Sequence, residues 1–333
     1  MGGVMPDELY EASPTKPNGR ATRPEMEKRA DFLIDYAKRH NPVTVRQLYY
    51  RGEVEGLPGI DKTEAGYDKT QRQVLQLRRA GKLPYQHIAD LTRWMHKPTT
   101  YNSVQEALQD TARLYRKALW RDVEVYVEIW CEKDALAGVI FPVTALYDVP
   151  LMVARGFSSE TFCFEAVEAR VGDKRPYIVY YLGDFDRSGR DAAASLQEKL
   201  ERFGAERGVD ISFVHLAIEE DDIVEVDMPN WLVRARVGEV ERQLPTRPHK
   251  RKSKADQLWP YPFACELDAI EPDDLRALVR WAIEYHLPSR QLEFLQSVEA
   301  NERQLINGLV GIIATDRGAT TTRTPRASEG LRG

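Results

Sequence analysis

Three carboxylates stand where two apolar stretches end. Glu132 follows VEVYVEIWC, and Asp184 and Asp186 follow YIVYYLG. Val123, Val125, Val127 and Ile129 alternate with Glu124, Tyr126, Glu128 and Trp130, the two-residue period of a β-strand. Tyr177 to Leu182 is a second β-rich run, broken by Gly183. Asp134 to Ile140 reads as the start of a helix. Ligands of open α/β sheets collect beyond the carboxyl ends of the strands. Glu132, Asp184 and Asp186 are therefore expected to converge on one rim of one sheet. Crowded carboxylates raise one another's pKa, and a hard cation relieves the repulsion. Mg²⁺ suits such a set because it takes few carboxylates, keeps several waters and is completed by substrate phosphates. Mn²⁺ is a possible substitute with the same taste for oxygen ligands. A D-x-D alone is more often a solvated turn. Here each acid follows a strand, and Gly183 and Gly189 bracket the second loop, which favours a metal site.

The rest of the chain must position that rim. Its 333 residues suffice for two domains of ordinary size. With 42% hydrophobic and 30% charged residues, the composition is that of a soluble globular protein. No run approaches a membrane span, and the N-terminus lacks the apolar core of a signal peptide. Cys131, Cys163 and Cys265 form neither a disulfide framework nor a zinc pattern, so a cytoplasmic location is expected. Residues 1–22 and 314–333 lack apolar periodicity and read as disordered tails.

Between the tails, a helix is expected from about Pro24 to Arg39, with Met26, Ala30, Leu33 and Ala37 inward. Thr44 and Gln47 form a capping-box pattern that opens a short helix carrying Arg46, Leu48, Tyr49 and Tyr50. A third helix should span Glu64 to Ala80, closed by Gly81. Tyr67, Val74 and Leu77 would face inward on it, and Lys69, Arg72, Gln73, Gln76 and Arg79 mostly outward. LPYQHI reads as a short strand. Three helices and a strand suggest a winged helix-turn-helix over residues 23–96. Residues 16–82 hold 15 Lys and Arg against 9 Asp and Glu, a surplus of six. Since the whole chain carries −5, the remainder carries −11. A basic half joined to an acidic one favours phosphate contact over a merely solvated helix face. Arg72, Arg79 and Lys82 are the candidate DNA contacts there, with Lys250, Arg251 and Lys252 of the tract RPHKRKSK. That tract is otherwise a solvated loop. Residues 97–121, with the capping pattern Ser103-x-x-Glu106, read as one linking helix. An α/β domain with a mainly parallel sheet follows over 122–313, finished by helices at about Pro272–His286 and Pro288–Leu309. Glu266 and Asp268 of CELDAI read as structural.

CEKDAL and LGDFDRSG together resemble the Toprim domain of topoisomerases, primases and some nucleases. TVRQLYY resembles the tyrosine motif on the winged-helix domain of the topoisomerase VI A subunit and the related meiotic double-strand-break transesterase. The likeness spans about residues 24–310 in the family's domain order and is greatest to compact, stand-alone relatives called Mini-A. ARGFSS, with Gly156, resembles the family's middle strand and glycine turn. Arg187 stands where the family commonly has proline. The resemblance implies that Tyr50 attacks the DNA backbone, that Arg46 holds the phosphate or lowers the phenol's pKa, and that Tyr49 packs. It implies Mg²⁺ on Glu132, Asp184 and Asp186, with Lys133 beside it. It implies a homodimer on double-stranded DNA, in which the tyrosine of one protomer meets the metal site of the other. No ATPase segment is present, so ATP-driven gating would need a separate B-type subunit. Two alternatives stay open: a Toprim nuclease that uses water, and a DNA-binding protein without chemistry.

Overall fold

The computed structural model describes residues 22–89, 99–154, 158–228, 230–249, 256–287 and 289–320. Three helices open it: α1 (Arg23–Arg39), α2 (Val45–Val54) and α3 (Glu64–Arg79). Thr22 and Glu25 cap α1 reciprocally, and Thr44 and Gln47 do the same for α2. Each pair satisfies backbone N–H groups that a helix start leaves without partners. Leu33, Tyr36 and Ala37 of α1 pack with Leu48 of α2 and with Val74 and Leu77 of α3. Met26, expected on the buried stripe, is exposed, and Arg29 is buried instead, its guanidinium reaching the Pro58 carbonyl at 3.3 Å. Gln73, expected outward, is also buried. Its amide donates to the Met26 carbonyl at 2.8 Å and ties α3 to α1.

LPYQHI is not a strand. Tyr85–His87 form a single 3₁₀ turn after Pro84, and Ile88 makes one parallel bridge to Val43. Proline fixes φ and lacks an N–H, so the chain turns here rather than extending a ladder. The expected linking helix over 97–121 is shorter. It is α4 (Val104–Leu114), capped by Ser103, and Tyr115 leaves it in an extended conformation.

The second half is built on a four-stranded, wholly parallel sheet. Its elements are β1 (Tyr126–Cys131), α5 (Asp134–Leu146), β2 (Leu151–Val153), α6 (Glu160–Glu168), β3 (Tyr177–Leu182), α7 (Arg187–Arg207) and β4 (Ile211–Ala217). The strand order is β2-β1-β3-β4. In register, Tyr126 lies opposite Tyr177 and Cys131 opposite Leu182, so β1 and β3 end level. Alternate side chains go to two separate cores. Val127, Ile129, Cys131, Tyr180 and Leu182 meet Leu136, Val139 and Ile140 of α5. Trp130, Tyr177, Val179 and Tyr181 meet Cys163 and Val167 of α6 and Leu196 and Leu200 of α7. Helices on both faces bury both sides of the sheet, which is the usual requirement of parallel strands. The chain leaves β1 toward β2 on one side and returns to β3 on the other, so the crevice between β1 and β3 is the topological switch point.

An antiparallel meander follows: β5 (Ile223–Asp227), β6 (Leu232–Val237) and β7 (Val240–Pro245). Next come a two-residue pair, β8 (Arg247–Pro248) and β9 (Phe263–Ala264), then α8 (Pro272–Glu284) and α9 (Ser289–Thr320). The last helix runs past residue 314, where a tail was expected to begin. No proline interrupts the chain until Pro325. The remaining tail residues, 155–157 with Gly156, and Lys250, Arg251 and Lys252 lie outside the described residues. Among the described residues, no helix is long and apolar enough to cross a membrane.

Leu182 is fully buried at the end of the central strand. Leu182→Ala is expected to cost about 2–5 kcal/mol, the range for a large-to-small change in a close-packed core. Urea unfolding followed by far-UV circular dichroism would measure it.

Candidate active site at the sheet rim

Glu132 leaves β1 one residue past the last paired position, and Asp184 and Asp186 leave β3 after Gly183. Glu132 Oε2 accepts the backbone N–H of Asp184 at 3.0 Å, which joins the two strand ends directly. The approach is close because residue 183 is glycine. A Cβ there would lie 2.6 Å from the Tyr181 ring and 3.3 Å from Glu132 Oε2. Gly189 is required in the same way, since a Cβ would come within 2.5 Å of the Asp184 carbonyl oxygen. Asp186 caps α7 by accepting the Gly189 N–H at 2.8 Å.

A second chain segment completes the rim. Phe185 and Cys265 exchange two backbone hydrogen bonds, at 2.8 and 3.0 Å. That bridge brings Glu266, Leu267 and Asp268 against the strand ends, and Leu267 N–H donates to Asp184 Oδ1 at 2.7 Å. Glu266 and Asp268, which the sequence reads as structural, thus stand among the rim carboxylates. The third contributor is α2. Arg46 Nη1 donates to Glu266 Oε2 at 2.8 Å, and Thr44 Oγ1 donates to Asp268 Oδ1 at 3.1 Å.

Cations bind every acid of this second set. The Lys133 ammonium sits 2.9 Å from Asp184 Oδ1, 3.2 Å from Glu266 Oε2 and 2.7 Å from Asp268 Oδ2. Arg247, at the start of the RPHKRKSK tract, reaches Asp186 Oδ2 and Glu266 Oε1, both at 2.8 Å. Glu266 therefore holds three cations at once. Burial alone would raise its carboxyl, but Lys133, Arg46 and Arg247 outweigh burial and hold it at about 2. Burial would lower the Lys133 ammonium, yet Asp268, Asp184 and Glu266 raise it well above the ordinary lysine value. Asp184 moves the other way. Burial lifts it to about 6, with Lys133 pulling down and Glu132 pushing up. Glu132 is also raised by burial, against the Asp184 N–H.

Tyr50 lies on α2, 7% exposed, with its ring 5.2 Å from that of Tyr49. Burial pushes its phenol well above the ordinary tyrosine value, and Glu266 adds to this, while Arg46 and Lys133 pull it back. Tyr49 is packed as expected, and its hydroxyl donates to the Asp61 carbonyl at 2.9 Å. A crevice of about 640 Å³ opens between α2–α3 and the rim, lined in part by Arg46, Tyr67, Arg78, Lys133, Asp184 and Glu266. Arg72, Arg79 and Lys82 are exposed on α3 and beyond its end, and they do not line the crevice. Arg78 does, which the sequence reading missed. Arg247 was missed too, since it reads as the first residue of a solvated tract.

Among the described residues, no group of three or more His, Cys, Asp or Glu side chains is arranged to hold a metal ion. The donor set is nevertheless all carboxylate oxygen, the kind that Mg²⁺ takes. The crowded acids need positive charge, and in this arrangement Lys133, Arg247 and Arg46 supply it. Comparison with known proteins finds no family model that matches the chain and no curated protein that matches it.

Because Glu266 binds its proton less tightly folded than unfolded, its charge stabilises the fold fully above the ordinary Glu value of 4.5. That stabilisation is lost as pH falls toward about 2. A separation of that size corresponds to on the order of 3 kcal/mol. Glu266→Gln should therefore be less stable than the parent by roughly that amount near pH 6, with the gap closing between pH 4.5 and 2. Urea midpoints of both chains across that range check it, and a gap independent of pH would contradict the ion cluster.

Proposed function

We propose that the chain cleaves double-stranded DNA by tyrosine transesterification, in the manner of the A subunit of type IIB topoisomerases. On this reading α1–α3 form a helix-turn-helix unit without the wing strand expected at LPYQHI, and the parallel sheet is a Toprim sheet. The observation that carries it is a shared crevice. A guanidinium (Arg46), Lys133 and the strand-end carboxylate of Asp184 border one cleft, and the buried phenol of Tyr50, four residues after Arg46 on the same helix, lies within reach of the charges of Glu266, Arg46 and Lys133. Positions i and i+4 lie on one face of a helix, so Arg46 and Tyr50 are presented together.

The chemistry is a phosphoryl transfer. The Tyr50 phenol gives up its proton and its oxygen attacks phosphorus in line. The P–O3′ bond breaks, the 3′ oxygen leaves and takes up a proton, and the 5′ phosphate remains on the tyrosine. Religation is the reverse exchange, because one ester replaces another. Arg46 holds the phosphate through two parallel N–H donors, a geometry suited to guanidinium. A buried phenol needs nearby cations to ionise near neutrality, and Arg46 and Lys133 are placed to act on it. Glu132, Asp184 and Asp186 would hold Mg²⁺, which when bound offsets charge on the phosphate and the leaving oxygen. Two copies about a two-fold axis would cut both strands, and Arg78, which lines the crevice, would add a phosphate contact.

Supercoiled plasmid incubated with protein and Mg²⁺, stopped with detergent and divided with and without protease, tests the reading. The parent chain should give broken DNA with protein attached. Tyr50→Phe should give none, while Tyr49→Phe keeps most of the activity. Glu132→Gln should lower cleavage at least about 100-fold, the order seen when charge stabilisation in a transition state is removed. Protein-free breaks that survive in Tyr50→Phe would replace this reading with a Toprim nuclease that uses water.

A further inference from the structure

Glu266 has the surroundings of a bound anion. Arg46 comes from α2, Lys133 from the turn between β1 and α5, and Arg247 from β8. All three end on the two oxygens of this one carboxylate, Arg46 and Lys133 on Oε2 and Arg247 on Oε1. Forked anionic oxygens are what guanidinium groups recognise, whether on a carboxylate or a phosphate. We propose that Arg46, Lys133 and Arg247 form a binding site for one DNA phosphodiester, and that Glu266 occupies this site as an internal stand-in until DNA displaces it. The proposal rests on the reading of the crevice as a DNA-cleavage site.

Three features support displacement. First, two of the cations keep a partner when Glu266 leaves. Lys133 retains Asp184 and Asp268, and Arg247 retains Asp186, so the cage stays in place. Asp268 makes a poor alternative occupant, because the Thr44 hydroxyl also holds it and it is 3% exposed. Second, the new occupant matches the old one in charge at the position between the cations. A phosphodiester carries one negative charge, as Glu266 does, so the three cations meet the same charge between them before and after the exchange. Third, the occupant controls the phenol. Glu266 opposes ionisation of Tyr50, while Arg46 and Lys133 favour it. Moving the carboxylate out and a phosphate in would put the attacked phosphorus beside Tyr50.

Binding without chemistry tests this. A fluorescently labelled 30-base-pair duplex is titrated by anisotropy in EDTA, in a Tyr50→Phe background, across a series of KCl concentrations. Adding Glu266→Gln should tighten binding roughly tenfold, the scale of one charge-assisted hydrogen-bonded contact. It should also steepen the salt dependence by about one phosphate contact, ~0.9 in the logarithmic slope. Arg247→Gln in the same background should weaken binding roughly tenfold. Far-UV circular dichroism confirms that each variant is folded, and if Glu266→Gln is not, the Arg247→Gln comparison decides. Affinity unchanged or weakened in folded Glu266→Gln, or unchanged in Arg247→Gln, would overturn the proposal. Because no nucleophile is present and no metal is free, a failure of the covalent-adduct assay leaves this comparison standing.

Discussion

The carboxylate of Glu266 and the three cations around it are the interaction on which the arrangement of the two halves depends. Arg46 belongs to the helical N-terminal half, Lys133 to the turn between β1 and α5, and Arg247 to the return from the meander. Neighbouring contacts follow the same seam. Arg51 pairs with Glu271 at 2.9 Å, Gln47 donates to the Ile270 carbonyl at 3.4 Å, and Arg276 reaches back to the His40 and Pro42 carbonyls. His40 also meets Asp273. The seam is therefore polar along segment 266–276, whereas each half keeps its own apolar core. Buried ion clusters roughly break even against their desolvation cost, but removing one partner is costly. Such a seam fixes one register of α2 against the sheet rim without the permanence of a shared hydrophobic core.

The sheet imposes a second constraint. Parallel strands that end level deliver their following residues to the same place, and here those residues are acids. Two glycines let the backbone and side chains approach, and the Phe185–Cys265 bridge adds two more acids. Like charges at this spacing are tolerable only with compensation. The chain carries its own compensation in Lys133, Arg46 and Arg247.

Much of this was legible along the chain. The ends of β3, the capping box at Thr44 and the extent of α3 follow from local rules, because propensity, capping and turn chemistry act over a few residues. The meander β5–β7, by contrast, had no counterpart in the reading of the chain. LPYQHI misled because its apolar spacing resembles a strand, while Pro84 and the packing of Ile88 under α1–α3 decide a turn.

The sequence by itself determined that Glu132, Asp184 and Asp186 would each stand at a strand's carboxyl end, since strand period and strand-end turns place them there, and the level pairing of β1 with β3 then brings them to one rim. It also determined that Arg46 and Tyr50 share a helix face. Only the tertiary structure decided what compensates the acids. Glu266 lies 134 residues beyond Glu132 and 220 beyond Arg46, and Arg247 stands at the head of a basic tract. No local pattern links such positions. Their meeting depends on a two-bond backbone bridge and on the docking of α2, which are settled by packing between distant segments rather than by any residue's own preference.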